Sequence, residues 1–481
     1  MHRTIPLMKK LLLVSSTLAF SFYLRAQTFT DQQLGWPTMT AASFAWGDYD
    51  NDGDFDLVIM GFSGQTAEVT NIYRNDGNGV FTLLNSGIAQ LSSGSVNWGD
   101  YDNDGNPDLL ITGMNNGGAV TALYHNDGND VFDSVSTNLP PLIGIARWID
   151  YDNDGMQDVI MAGWMGLGSS DSTELFHNDG NGIFTEASTD FPDYAASDIA
   201  VADYDDDGDE DFFLTGYYLG VTSTRSELCR NDGNGVFSIV PFEFIKLSTG
   251  TAKWGDYDND GDPDLLYDGI DSTAVTNHTA LYRNEGTDSF TLVNANLPAS
   301  GEPGSVDFGD VNNDGTLDIL LSGAGFPGVK LLSNDGNDVF TDITPINFGT
   351  AVPSGFIDMD NDGDLDVIVI RQFGGFNAST ILRNDLIALG APQVSSPISY
   401  ELFPVPADDF VLLHTGCLSA TITSLSVYDA AGQLVISPSI LSGEGTSDMR
   451  INCSMLKQGV YFAEFSAENN IVRKKFVIEH F

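Results

Sequence analysis

One nine-residue acidic motif recurs seven times along this chain at a spacing near 50 residues, and few folds accommodate that. It reads DYDNDGDFD from Asp48, DYDNDGNPD from Asp100, DYDNDGMQD from Asp150 and DYDDDGDED from Asp203. It continues as DYDNDGDPD from Asp256, DVNNDGTLD from Asp310 and DMDNDGDLD from Asp358. Successive copies lie 52, 50, 53, 53, 54 and 48 residues apart. A second motif keeps step with the first: YRNDGNGVFT at Tyr73, YHNDGNDVFD at Tyr124, FHNDGNGIFT at Phe176 and CRNDGNGVFS at Cys229. It drifts to YRNEGTDSFT at Tyr282, returns as LSNDGNDVFT at Leu332 and stops short as LRND at Leu382. A fixed period of this length means stacked units, each burying an apolar face against its neighbour.

Each unit reads as four short strands. In the first, SFAWGD runs into the acidic loop, the apolar DLVIMGF leaves it, VTNIYRND alternates, and VFTLL follows an Asn-Gly turn. Sustained helical spacing is absent. Four-stranded units in this number predict an all-β fold, a seven-bladed β-propeller. The seventh unit lacks its fourth strand, while Phe29-Thr30 near the N-terminus matches the Phe-Thr that opens most of the others. The expectation is a ring over residues 27–388 closed by the N-terminal strand, which removes an exposed sheet edge. Trp46, Trp98, Trp148, Trp254, Phe308 and Phe356 recur two residues before the loop, a placement that predicts blade-to-blade packing.

Asp plus Glu number 68 against 19 Lys plus Arg, a net charge of -49. Nucleic acid is thereby excluded as a partner, since it needs a basic surface. Hydrophobic residues make up 42% of the chain, enough for large cores, so the acidity does not signal disorder. Arg3, Lys9 and Lys10 precede LLLVSSTLAFSFYL, a secretion signal over residues 1–26 with cleavage expected after Ala26; Met8 is an alternative start. No stop-transfer segment follows, so the mature chain is expected to lack a transmembrane segment. Cys229 stands where other repeats carry Tyr, Phe or Leu and is expected to be a buried apolar residue. Cys417 and Cys453 are the candidates for a disulfide outside the cell, and the sequence leaves that pairing open.

The acidic loop explains the charge. Counting from its first aspartate, positions 1, 3, 5 and 9 carry oxygen ligands in every copy, and position 6 is glycine. These are Asp48, Asp50, Asp52 and Asp56 in the first loop, Asp100, Asp102, Asp104 and Asp108 in the second, and Asp150, Asp152, Asp154 and Asp158 in the third. The fourth has Asp203, Asp205, Asp207 and Asp211, and the fifth Asp256, Asp258, Asp260 and Asp264. The sixth has Asp310, Asn312, Asp314 and Asp318, with Asn312 removing one charge, and the seventh Asp358, Asp360, Asp362 and Asp366. Alternate oxygens in a tight turn suit calcium, which takes six to eight of them in a forgiving geometry; all-oxygen ligands argue against zinc or copper. An EF-hand is excluded, because position 12 is apolar or aromatic (Ile59 in the first copy) where that motif requires Glu. One copy alone reads as well as an Asx-rich turn; seven copies with the same four positions filled select the metal. At the roughly 10⁻⁴–10⁻³ M dissociation constants of extracellular modules, millimolar calcium adds about 0.4–1.4 kcal/mol per site. The NDGNG segments are read as hairpin turns.

DxDxDGxxD between two strands, repeated through seven units, resembles the FG-GAP/VCBS repeats of integrin α-subunit propellers and of many secreted bacterial proteins. The resemblance covers residues 27–388 and implies up to seven Ca2+ ions on the aspartates above. Antiparallel strands put the metal loops and NDGNG hairpins on one face and the diverse second–third loops on the other, where ligands are expected. Trp164, Tyr217, Tyr218, Phe326, Phe373 and Phe376 lie in those loops, either as stacking platforms or as packing between blades.

After a linker at 389–399 the pattern changes. YELFPVPADDFVLL, LSVYDAAGQLV, MLKQGVYFAEF and VRKKFVIEHF over residues 400–481 read as a small Ig-like β-sandwich. Pro404, Pro406, Asp429, Gly432, Leu456, Gly459 and Lys474-Lys475-Phe476 resemble the C-terminal sorting domain of type IX secretion substrates. That implies the type IX secretion machinery as a partner and a secreted or outer-membrane-attached product. The leading expectation is a calcium-binding, binding or adhesion module for a glycan or protein ligand. A polysaccharide-degrading propeller enzyme and a purely structural surface protein are the alternatives. GxSxG, HExxH and histidine clusters are absent, so no catalytic residue is assigned. His125 and His177 replace the arginine of other repeats and are expected to be solvated strand residues.

Overall fold

The computed structural model describes residues 25–388 except 65–66, 167–170, 189–190, 192–193, 219–222, 234, 272–275, 302–303, 324–327, 345–350 and 372–377. Beyond residue 399 it describes 400–403, 410–415, 422–429, 434–436, 448–453, 456–457, 459–467 and 470–478. The secretion signal with its cleavage site, the linker, Cys417, Phe326, Phe373 and Phe376 fall at least partly outside these residues. Contacts divide the chain into two compact units, Met1–Leu389 and Gly390–Phe481. Every element among the described residues is a strand, and no helix there is long and apolar enough to cross a membrane.

The first unit is a seven-bladed propeller of antiparallel sheets, with the blades in chain order. Blade 1 is typical: Met39–Gly47, Asp56–Ser63, Ala67–Asn75 and Phe81–Leu83 pair in sequence. The second strand of each blade is buried on both sides, as Leu57, Val58, Ile59 and Met60 are, because blades cover both its faces. In blade 5 the first strand is broken into Leu247–Ser248 and Ala252–Gly255, with Thr249 at φ +64° between them. First strands of consecutive blades neighbour one another, and the first strand of blade 7 returns to that of blade 1.

Closure follows the expected route. Arg25–Asp31 is the outer strand of blade 7, paired with Thr380–Ala388. Phe29 lies opposite Asn384. Phe81, Phe132, Phe184, Phe237, Phe290 and Phe340 lie opposite the corresponding asparagines of the other blades. The N-terminal strand thus occupies the register that a fourth strand of its own would take.

The recurring aromatics pack between blades. Trp98 stacks on Tyr49 of the preceding blade at 5.6 Å and Trp254 on Tyr204 at 6.0 Å. Gly47 shows how close this approach is: a Cβ there would meet the Trp98 ring at 2.6 Å. Cys229 is buried in the apolar interface between blades 3 and 4, as expected, and burial pushes its thiol pKa up.

The second unit contains two antiparallel sheets. Tyr400–Phe403, Phe410–Thr415 and Asp448–Asn452 form one. Leu434–Ile436, Ile422–Asp429, Gly459–Ala467 and Asn470–Ile478 form the other.

Candidate metal sites

Each acidic loop joins the first two strands of its blade and holds itself with its own carboxylates. In blade 1 the position 1 carboxylate accepts the N–H groups of Asp52 at 2.9 Å and Gly53 at 3.0 Å. Asp52 accepts the N–H of Asp54 at 2.9 Å. Gly53 adopts φ +96°, a conformation that closes the turn at low cost only for glycine. Position 9 is fully buried and spans two elements: Asp56 accepts Tyr49 N–H at 3.0 Å and Asn75 N–H at 2.8 Å. This last bond puts the acidic loop and the NDGNG hairpin on one face. The position 1, 5 and 9 bonds to N–H groups recur in all seven blades, except that no bond from Tyr151 N–H to Asp158 forms in the third.

Position 3 behaves differently. Oδ1 of Asp50, Asp102, Asp152, Asp205, Asn312 and Asp360 is buried and lacks a hydrogen-bond partner within the protein. Leaving such oxygens unpaired is costly, and a cation would supply what they lack. Carboxylate oxygens of positions 1, 3 and 9 lie within 4.8 Å of one another in the first loop (Asp48, Asp50, Asp56) and the second (Asp100, Asp102, Asp108). Asp150, Asp152 and Asp154 do so in the third. In the fifth, Arg283 Nε instead reaches Asp258 Oδ2 at 2.6 Å. The donors are therefore of the kind calcium prefers, although positions 1 and 5 also spend lone pairs on the loop backbone.

Burial dominates the electrostatics. It raises the position 9 carboxyls, aided by neighbouring loop carboxylates and opposed by the backbone N–H groups they accept. Asp56, Asp108, Asp211, Asp264 and Asp318 are pushed up to about 7, Asp158 to about 6 and Asp366 to about 8.

Two sets of asparagines tie neighbouring blades together, and neither role was expected from the sequence. The asparagine of each NDG motif donates from Nδ2 to the position 2 carbonyl of the preceding blade. Asn126 reaches Tyr49 at 2.7 Å, Asn178 reaches Tyr101 at 2.7 Å, and Asn231 reaches Tyr151 at 2.7 Å. Asn284, Asn334 and Asn384 repeat the bond, and Asn75 closes the circle on Met359 at 2.8 Å. The second set is position 4, held at φ near +55 to +60°, where Asn and Asp are tolerated. Its Nδ2 donates to the position 6 carbonyl of the next loop, as Asn51 does to Gly105 at 3.1 Å and Asn361 to Gly53 at 3.0 Å. Asp206 takes this place in blade 4 and cannot donate.

His125 and His177 correct the expectation that they are solvated. Their side chains are 25% and 30% exposed and lean into the loops of blades 2 and 3. His125 Nδ1 is 3.3 Å from Asp102 and 3.2 Å from Asp108; His177 Nδ1 is 3.2 Å from Asp158. Arg74 and Arg230, at the same place in blades 1 and 4, instead reach Asp130 and Asp288 of the next hairpin at 2.6 and 2.5 Å. The arginine equivalence concealed the histidines' inward contact, which Arg283 also makes in blade 5.

On the opposite face, Trp164 is partly exposed and Tyr217 is 36% exposed, whereas nothing is described of the side chain of Tyr218.

A seven-bladed propeller with an aspartate loop in every blade is thus the class defined by this geometry. Residues 100–161, 150–214 and 270–321 match the FG-GAP-like repeat family, and residues 401–479 match the secretion system C-terminal sorting domain. The chain carries FG-GAP-like repeats followed by that sorting domain, which indicates type IX export to the cell surface or extracellular space. A search of curated proteins gave no match. Among solved structures, the biofilm matrix protein Bap1 of V. cholerae is 13% identical, with 94% of this chain and 68% of that chain covered and a TM-score of 0.35. Sucrose-6-phosphate hydrolase from Lactobacillus gasseri is 11% identical over 70% and 86% of the two chains, with a TM-score of 0.32. The exotype rhamnogalacturonan lyase YesX is 14% identical over 95% and 76%, also with a TM-score of 0.32. At these scores none of the three carries an argument about function.

Proposed function

We propose that the protein is a calcium-stabilised propeller, exported by the type IX machinery, that binds a glycan or protein ligand at the cell surface or outside the cell. The observation that carries the calcium reading is the set of six buried position 3 oxygens without a partner in the protein, each in a loop of carboxylates. Calcium would be held by positions 1, 3, 5 and 9, neutralising part of the loop's charge and clipping the first two strands of each blade. The ligand is assigned to the second–third loops, because the other face is occupied by metal loops and hairpins that repeat one scaffold. Tyr217, exposed on that side, is a platform on which a sugar ring can stack.

Two measurements test this. Metal analysis of the purified chain at extracellular calcium levels should find several ions per chain; almost none overturns the metal assignment. A glycan array probed with the calcium-loaded chain should give a defined set of hits, lost in Tyr217→Ala. Product formation on those glycans would instead identify an enzyme, and silence would favour a protein ligand or a structural role.

A further inference from the structure

We infer that the loops of blades 2 and 3 are mixed nitrogen–oxygen sites that take a borderline transition metal of the zinc class in preference to calcium. This rests on reading the loops as cation sites. The two share a residue type that the other five lack, at the position before the NDG asparagine. That position holds His125 and His177 in blades 2 and 3, Arg74, Arg230, Arg283 and Arg383 in blades 1, 4, 5 and 7, and Ser333 in blade 6. A guanidinium is cationic and offers no lone pair; an imidazole offers one to a metal.

The geometry suits a shared ion. Donors bound to a tetrahedral ion at about 2.0–2.1 Å lie roughly 3.3 Å from each other. His125 Nδ1 lies 3.3 Å from Asp102 Oδ2 and 3.2 Å from Asp108 Oδ1, and His177 Nδ1 lies 3.2 Å from Asp158 Oδ1. The same Nδ1 atoms hydrogen-bond Asp108 Oδ1 and Asp158 Oδ1 at 3.2 Å, contacts that a shared ion would replace. An independent sign comes from Asp158, which is 0% exposed yet leaves Oδ2 without a hydrogen-bond partner. In the other six blades that oxygen accepts the position 2 N–H. Asp152 Oδ1 is orphaned beside it, and Asp152, Asp158 and His177 group closely enough to share one ion. Imidazole with carboxylate suits zinc, copper, iron or nickel, whereas calcium prefers oxygen alone.

The test dialyses the tag-free full chain against millimolar calcium with micromolar zinc, followed by elemental analysis. The wild type should retain two zinc ions per chain. His177→Arg should retain one, and the double variant H125R/H177R none, because arginine is the residue four other blades carry and the fold should survive. Cobalt substitution should give ligand-field bands in the wild type that the double variant lacks. Absence of zinc from the wild type, or equal zinc in the double variant, overturns the inference. Calcium content measured without zinc is read separately, so a failure of the calcium reading is distinguishable from a failure of this one.

Discussion

Acidification should drive calcium from the loops, with the loss of affinity setting in between pH 8 and 6 and steepening below. The position 9 aspartates set this window. Burial holds most of these carboxyls near 7, with Asp158 at about 6 and Asp366 at about 8, while in an unfolded chain they ionise near 4. The folded, cation-free chain therefore binds more protons than the unfolded one between those values. By linkage, the contribution of these carboxyls to its stability is fully present below pH 4 and is lost as pH rises through the folded values. A bound cation inverts this preference by holding the carboxylates ionised. A site whose carboxyl ionises at about 7, as Asp56 does, is mostly protonated at pH 6, and its apparent calcium affinity falls about tenfold there, or about 1.4 kcal/mol. Calorimetric titration at pH 8 and pH 6, in buffers of different ionisation heat, reads both affinity and protons released. The expected result is close to one proton per ion at pH 6 and far fewer at pH 8. In chelator, the melting temperature should drop from pH 5 to pH 8, whereas with calcium it should rise. Equal affinity at both pH values without proton release would refute the assignment of the buried aspartates as ligands.

Three further outcomes test the seams between blades. Asn178→Ala removes bonds to Tyr101 and Gln157 carbonyls and from Gly180 N–H at 2.7, 3.0 and 3.0 Å, and should cost about 2–4 kcal/mol in denaturant unfolding. Asp206→Asn supplies the donor missing between blades 4 and 5 and removes the repulsion between Asp206 and Asp262; unfolding free energy should rise by about 0.5–1.5 kcal/mol. Deleting residues 27–31, the part of the blade 7 outer strand that follows the expected cleavage, should give a less stable, self-associating chain by light scattering; a monomer of unchanged stability would contradict the closure.

Much of this architecture was legible because it repeats. Seven copies of one loop gave the blade count, and Phe29-Thr30 gave the closing strand, since a single pair of residues already matched the register of the other blades. The asparagine seams were hidden for a physical reason. Asn126 and its counterparts meet main-chain carbonyls 73 to 80 residues earlier within blades 2 to 7, and a carbonyl leaves no trace in residue type. The inward contacts of His125 and His177 were equally invisible, because the arginines at that position divide between the next hairpin, as Arg74 does, and their own loop, as Arg283 does. The broken first strand of blade 5 turns on a left-handed Thr249, a residue that does not advertise that conformation.

The pairing of Thr28 with Asp385 spans 357 positions and has a consequence for biogenesis. A ribosome delivers the strand holding Thr28 near the start and its partner only after almost all the blades. Six blades can assemble while the seventh still lacks its rim, and throughout that interval two unsatisfied β edges must be kept from foreign partners. Closing the ring therefore joins the oldest and youngest parts of the propeller in a long-range encounter that carries a large loop-closure entropy.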